Sequence, residues 1–394
     1  MGIQDIYVIS AARTAVGSFG GSLKDIPASQ LAAKVVEWAL HRSGADPALV
    51  GQVVMGQVIP TEPRDAYLSR TAAVEAGIPH QSIAFNVNRL CGSGLQAVIS
   101  AAQTLMLGDV DVAIGGGAES MSRSPHLLPA ARWGARIGDF QATDLMLGVL
   151  HDPFHRTHMG LTAEAVAESE HITREVQDAL ALESHQRAAQ AITEGRFREQ
   201  IVPIEVPSRK GVNVVDTDEH VKPETTLEQL AKMTPAFKRD GTVTAGNASG
   251  INDGAAALLL ATGGAVRTHN MAPIARLVSY GHAGVDPRFM GLGPVPASRM
   301  ALEKAGLGIQ DLDVIESNEA FAAQACAVSK RLGLDSKKVN PNGSGISLGH
   351  PLGATGAIIA TKAIYELHRV QGRYALVTMC IGGGQGIAAI FERV

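Results

Sequence analysis

The 394-residue chain reads as an α/β protein built from duplicated halves. Three observations point there. Short Val/Ile runs alternate with Ala-rich runs of helical period, the pattern of βαβ units whose mostly parallel sheets are covered by helices. Glycine is abundant at 43 residues and aromatics make up only 4%, which suits tight packing and backbone-lined turns. The two ends of the chain also resemble each other. Ala39-Leu-His-Arg-Ser-Gly44, followed by Leu49-Val-Gly-Gln-Val-Val54, has a counterpart in Ala301-Leu-Glu-Lys-Ala-Gly306, followed by Asp311-Leu-Asp-Val-Ile315, at an offset of 301 − 39 = 262. Val112-Ala-Ile-Gly-Gly-Gly117 recurs as Thr378-Met-Cys-Ile-Gly-Gly-Gly384, at 382 − 115 = 267. Two matches in the same order, at nearly one offset, mark a repeated unit.

The elements follow in order. Ile3-Gln-Asp-Ile-Tyr-Val-Ile-Ser10 is a strand. Leu31–His41 and Gly94–Leu107 carry helical periodicity in the first half, and Phe85-Asn-Val-Asn88 ends a strand. Ser298–Ala305, Ala320–Leu332 and Ala357–His368 are helix-like in the second half, and Tyr374–Met379 is an apolar strand. The halves span roughly 1–120, with about 245–269 returning to it, and 270–394. The middle, 121–244, escapes the repeat. It is richer in charge, His and Pro, as in His151-Asp-Pro-Phe-His-Arg-Thr-His158. It holds one long helix, Thr173–Glu194, with Thr173 as N-cap and Gly195 as stop. An insertion of this kind reads as a lid over a site.

Composition excludes several function classes. Net charge is −4 with no basic block, which argues against a nucleic-acid partner. Cys91, Cys326 and Cys380 form no C-x-x-C pair, so a disulfide framework and a structural zinc are both disfavoured and a reducing cytoplasm is expected. His151, His155 and His158 lack H-E-x-x-H order and Pro153 interrupts the helix they would need, so no metal is expected. The glycines after Cys380 do not match G-x-G-x-x-G, and no Walker A sequence exists. The N-terminus resembles neither a signal nor a transit peptide, and no uncharged apolar run is expected to reach the length of a membrane span.

Four segments carry candidate chemistry. Cys91, in Asn88-Arg-Leu-Cys-Gly-Ser-Gly94, follows a strand end and precedes a helix. There the helix dipole favours thiolate, and flanking glycines let a substrate approach. A small buried hydrophobe is the alternative for such a cysteine. His350, in Gly345-Ile-Ser-Leu-Gly-His-Pro-Leu-Gly353, holds the corresponding place in the second half. Pseudo-twofold symmetry would set it beside Cys91, the pairing that activates a thiol. Asn318, in Ser317-Asn-Glu-Ala-Phe321, is either an ordinary N-cap or a holder of water. Cys380 ends a strand before Gly382-Gly-Gly384, where free N–H groups suit an oxyanion hole.

Together these segments resemble the thiolase family of acetyl-CoA acetyltransferases and 3-ketoacyl-CoA thiolases. The matching pieces are Asn88–Gly94, Gly116-Gly-Ala-Glu-Ser-Met-Ser122, Asn318–Phe321, Asn340–Gly356 and Cys380-Ile-Gly-Gly-Gly-Gln-Gly386. They fall in family order and span essentially the whole chain. The finer resemblance is to bacterial biosynthetic β-ketothiolases, including those feeding polyhydroxyalkanoate synthesis.

The resemblance implies a thiolase fold, with duplicated α/β halves, stacked mixed sheets in αβαβα layers and an inserted loop domain. It implies a reversible Claisen condensation of acyl-CoA thioesters through an acyl-cysteine. Cys91 would be the acyl-carrying nucleophile and His350 the acceptor of its proton. His350 and a water held by Asn318 would form one oxyanion hole; the N–H groups of Cys91 and Gly382 would form the other. Cys380 would be the acid/base. Leu150, His158, Met159, Lys222, Phe237, Ala245, Ser249, Met290, Ala320 and Phe321 match coenzyme A or pantetheine contacts, with Lys222 standing where related enzymes carry Arg. Coenzyme A enters as substrate and no tightly bound cofactor is expected. The expected assembly is a homotetramer, a dimer of dimers joined near Pro129–Phe140. Ketoacyl synthases and hydroxymethylglutaryl-CoA synthases share the fold but lack a cysteine at the Cys380 position, and a non-catalytic carrier should have lost one of the four reactive residues.

Overall fold

The computed structural model describes residues 4–209 and 211–394. The first strand, β1, is Ile6–Thr14; its expected start at Ile3 lies outside the described residues. α1 (Ala28–Ser43), β2 (Gln52–Gly56), α2 (Leu68–Glu75), β3 (Ile83–Val87), α3 (Ser93–Leu107) and β4 (Val112–Ser120) follow. The chain then leaves the sheet over residues 121–251, which include α4 (Met159–Glu170) and α5 (Arg174–Thr193), and returns as β5 (Asn252–Thr262). The second half comprises β6 (Ala275–Gly284), α6 (Pro294–Ala305), β7 (Val314–Ser317), α7 (Ala322–Leu332), α8 (Leu352–Val370), β8 (Tyr374–Ile381) and β9 (Gln385–Arg393).

The hydrogen-bonded order is β7-β8-β9-β6-β1-β5-β4-β2-β3. In the first half β2 runs parallel to both β3 and β4, and β5 runs antiparallel to β4 and β1. The second half repeats this: β7 is parallel to β8, and β9 is antiparallel to β8 and β6. A parallel bridge between Ile315 and Val339 takes the place of β3. The repeat read from sequence is therefore a repeat of strand order. One detail differs from a pair of separate sheets. The equivalent strands β1 and β6 pair antiparallel through Ile6–Leu277, Tyr7–Arg276 and Val8–Ala275, so the halves share one edge.

α1 and α2 pack on the first half and α6 on the second, while α3 and α8 pack on each other and touch strands of both halves. Leu95, Val98, Ile99 and Leu105 of α3 share one core with Ile358, Ile359, Ile364 and Leu367 of α8, Leu258 and Leu260 of β5, and Val377 and Met379 of β8. Each such side chain contributes roughly 1.5–3 kcal/mol of burial free energy. This position corrects one expectation. The run Leu90–Leu107 is long and apolar enough to cross a membrane. Its apolar face, with Leu95, Val98, Ile99 and Leu105, is buried against protein, while Gln96, Ser100, Gln103 and Thr104 are only partly buried.

The central helices meet backbone to backbone. A Cβ on Gly94 would lie 2.9 Å from the Ala357 nitrogen, and one on Gly356 would lie 2.3 Å from the Leu95 nitrogen. The excursion is tied to β1 by the fully buried Arg13–Asp218 pair, in which Asp218 also accepts the Val16 N–H. Its long helix α5 is capped by Thr173, and Gly195 beyond its end has φ +71°.

Alanine in place of Gly356 tests the helix contact. On an exposed helix the change would gain about 1 kcal/mol in helix propensity. Here the added methyl meets backbone, and overpacking costs about 1–3 kcal/mol. A chemical-denaturation series should show Gly356→Ala less stable than wild type; equal or greater stability would contradict the close contact.

Candidate active site

The Cys91 turn is strained and pinned. Leu90 has φ +48°, a left-handed conformation that leucine rarely adopts. The Asn88 Oδ1 accepts the Leu90 N–H at 3.1 Å; the Ser93 hydroxyl accepts the Arg89 N–H at 2.8 Å and donates to the Leu90 carbonyl at 2.6 Å. These bonds hold Cys91 at the foot of α3. Gly92 has no room for a side chain, since its Cβ would lie 2.3 Å from Ile381 Cδ1.

His350 lies just before α8, whose N-cap is Pro351. Its N–H donates to Asn252 Oδ1 at 2.9 Å, and its Nδ1 lies 2.7 Å from the Thr355 hydroxyl. That hydroxyl donates its proton to the Pro351 carbonyl at 2.9 Å. Its oxygen is therefore the acceptor, Nδ1 carries the imidazole proton, and Nε2 presents a bare lone pair. Nε2 is buried without a protein partner. Burial holds the imidazole pKa down to about 4, so it is neutral near pH 7 and able to accept a proton.

The pull of the helix terminus toward thiolate at Cys91 is present but is not the largest influence on the thiol. Burial pushes its thiol up to about 11, and the Glu119 carboxylate adds to the rise. The N–H groups of Gly382 and of Cys91 itself pull the other way without prevailing. Desolvation outweighs the dipole because the surroundings are apolar. Cys91 packs against Val58, Ile59, Met121 and Leu352. Cys380 is buried near the end of β8, among Met159, Ala163, Met290, Ala320 and Phe321. Burial, then the neighbouring Cys91, raises its thiol as well. Each thiol thus has its own apolar wall.

Both open on one cleft of about 610 Å3. Cys91, His350, Cys380 and Gly382 line it, as do all the positions matched to coenzyme A contacts. Leu150 caps the short helix Leu145–Val149, His158 caps α4 and Met159 begins it. The His158 ring stacks on Phe237, with centroids 4.6 Å apart, and meets His151 edge-on. Lys222, Phe237, Ala245 and Ser249 come from the loops before β5, Met290 from the turn before α6, and Ala320 and Phe321 from the turn into α7. The Ser249 N–H donates to the Ala320 carbonyl, tying two of these loops together.

Asn318 does not line the cleft. It is fully buried, and it is not the N-cap, a place taken by Phe321. Neither polar atom of its side chain has a protein partner, an arrangement that calls for water or ligand. Sequence reasoning also missed lining residues. Phe19 stands exposed on a glycine-flanked loop held by Glu219, which accepts the Ser18 and Ser22 N–H groups. The motif Gly17-Ser-Phe-Gly-Gly-Ser22 was the available signal.

The protonation states are testable. Because thiolate is the species that alkylates, modification of Cys91 by iodoacetamide should climb with pH toward its value of about 11. Peptide mass spectrometry would follow it. A plateau already reached near neutral pH would mean a preformed thiolate–imidazolium pair and contradict this assignment.

Residues 6–264 match the model of the thiolase N-terminal domain and residues 271–393 that of the thiolase C-terminal domain. Beta-ketothiolase BktB of Cupriavidus necator is 64% identical, over 99% of this chain and 100% of that one. An acetyl-CoA acetyltransferase of Pseudomonas aeruginosa is 48% identical over 99% and 100%. The crystal structure of human mitochondrial 3-ketoacyl-CoA thiolase superposes with a TM-score of 0.98 at 44% identity, covering 100% of both chains. Another structure of that human enzyme, in complex with CoA, gives 0.97 at 44% identity, covering 100% of this chain and 98% of that one. Matched by both thiolase domain models and by relatives over its full length, the chain belongs to the thiolase family.

Proposed function

We propose that this protein is an acyltransferase that condenses two acyl-CoA thioesters, acetyl-CoA with acetyl-CoA or a short acyl-CoA, into a 3-ketoacyl-CoA and free CoA, and runs the reverse thiolysis. The observation that carries the reading is the opening of two thiols and a neutral imidazole on one cleft.

The chemistry is ping-pong. Cys91 sulfur attacks the thioester carbonyl while His350 Nε2 takes its proton; the sulfur–carbon bond to CoA breaks, and the Cys380 thiol protonates the departing CoA sulfur and is left as thiolate. Cys380 then removes a proton from the α-carbon of the second thioester. The resulting enolate attacks the acyl carbon on Cys91, a carbon–carbon bond forms, and the Cys91 sulfur departs and is reprotonated. The high pKa of Cys380 makes it a strong base once deprotonated and a ready acid in reverse. The Cys91 and Gly382 N–H groups stabilise the oxyanion on the acyl carbon. His350 and a water on Asn318 stabilise the enolate oxygen, a role supported by the unpartnered amide of Asn318.

Residues 121–244 serve as the loop domain that binds coenzyme A. Leu150, His158, Met159, Lys222, Phe237, Ala245, Ser249, Met290, Ala320 and Phe321 hold its pantetheine arm and phosphates. The crystal structure of the related human mitochondrial 3-ketoacyl-CoA thiolase in complex with CoA supports this reading. The cellular setting is cytoplasmic. The assembly is a homotetramer. Support comes from the exposed Ile83 and Phe85 on the edge strand β3, and from Trp133 at 84% and Ile137 at 99% exposure.

The direct test is CoA-dependent thiolysis of acetoacetyl-CoA and 3-ketovaleryl-CoA. Wild type should cleave both and Cys91→Ala neither, while Cys380→Ser should release one burst of CoA from acetyl-CoA and then turn over very slowly. Failure of well-folded wild type to cleave either substrate would reject the reading. Sedimentation should report tetramers, and Trp133→Ser/Ile137→Ser should yield dimers; tetramers in the variant would remove that segment from the interface.

A further inference from the structure

Arg89 lies two residues before Cys91, and its side chain reaches out of the first half. Nε and Nη2 donate to Gln385 Oε1 at 3.3 and 3.2 Å. Nη1 donates to Gln96 Oε1 at 2.7 Å and faces His282 Nδ1 at 2.7 Å. These partners are uncharged. Gln96 and Gln385 are amides, and His282 is held neutral by burial, then by the Arg89 and Lys304 charges, at about 4. A half-buried cation with neutral partners is a costly way to gain stability.

Its placement suggests another use. Gln96 stands on α3 one turn beyond Cys91; Gln385 begins β9 directly after the Gly382–Gly384 turn; His282 lies on the neighbouring strand β6. The fork therefore joins the strained Leu90–Cys91 turn to the turn that follows Cys380. The two turns already touch. A Cβ on Gly382 would lie 3.2 Å from Leu90 Cδ1, and the Gly92 position abuts Ile381. Left-handed leucine persists only where its surroundings over-determine it.

We infer that Arg89 is a positioning residue that locks the Cys91 turn to the Cys380–Gly382 turn and so fixes the acyl carbon against the carbon that attacks it. This rests on the thiolase reading above. Wild-type thiolysis tests that reading alone; the variants test only the inference. Arg89→Gln, Gln385→Ala and the double variant would be compared in thiolysis of acetoacetyl-CoA, with kcat and KM resolved and melting curves recorded. A displacement of about 1 Å costs about 100-fold in rate, so kcat of Arg89→Gln should fall by about that factor. KM for CoA should stay within about twofold, since ground-state binding is untouched. Gln385→Ala should also lower kcat, and the double variant should be no slower than Arg89→Gln, because both changes cut one strut. Wild-type kcat in folded Arg89→Gln, or losses that multiply in the double variant, would overturn the inference. If Arg89→Gln does not fold, the half-buried Gln385→Ala decides: a loss confined to kcat supports the strut, and unchanged kcat overturns it.

Discussion

The backbone contact between α3 and α8 at Gly94 and Gly356 is the constraint on which the site depends. Cys91 stands at the foot of one helix and His350 at the foot of the other. Any side chain at the crossing would part the helices and separate thiol from imidazole. Around this contact the apolar middle layer closes from both sides, and beside it His350 and Cys380 are buried and Cys91 half-buried at the cleft wall. The duplication supplies the symmetry that makes the helix ends equivalent, and sequence divergence gives each a different reactive side chain.

Burial then sets the electrostatics. It keeps both cysteines as thiols and His350 neutral, so the site carries no resting ion pair at its centre. Charge develops only as the reaction proceeds, where aimed N–H groups are worth most. The buried acids stand further back, and burial raises both Glu119 and Glu316 to about 7. Glu119 accepts the N–H groups of Val58, Ile59 and Gly353, stitching the loop after β2 to the start of α8. The buried Lys362 joins Glu316 to the Gly343 carbonyl, bracing the glycine-rich segment that leads to His350.

Much of this was legible in the chain. Alternating periodicity and two matched segments disclosed the duplicated halves, and glycines around Cys91, His350 and Cys380 disclosed the turns. Local rules failed where distant residues decide. Asn318 looked like a cap, yet the cap is Phe321, three residues later, and only the fold reveals a buried amide without partners. The N–H groups at the Cys91 turn do pull its pKa down, but desolvation, which the sequence does not display, outweighs them. Thr355, which fixes the His350 tautomer, and Arg89, which spans the halves, gain meaning only from their partners. The run Leu90–Leu107 is apolar enough for a membrane, and only its neighbours explain why.

Everything in the proposed chemistry turns on a division of labour between the two thiols. The most direct measurement is peptide mapping by mass spectrometry after wild-type protein is mixed with acetyl-CoA and quenched in acid. The acetyl group is expected on Cys91 alone. Acetyl on Cys380 or Cys326, with Cys91 unmodified, would contradict that division.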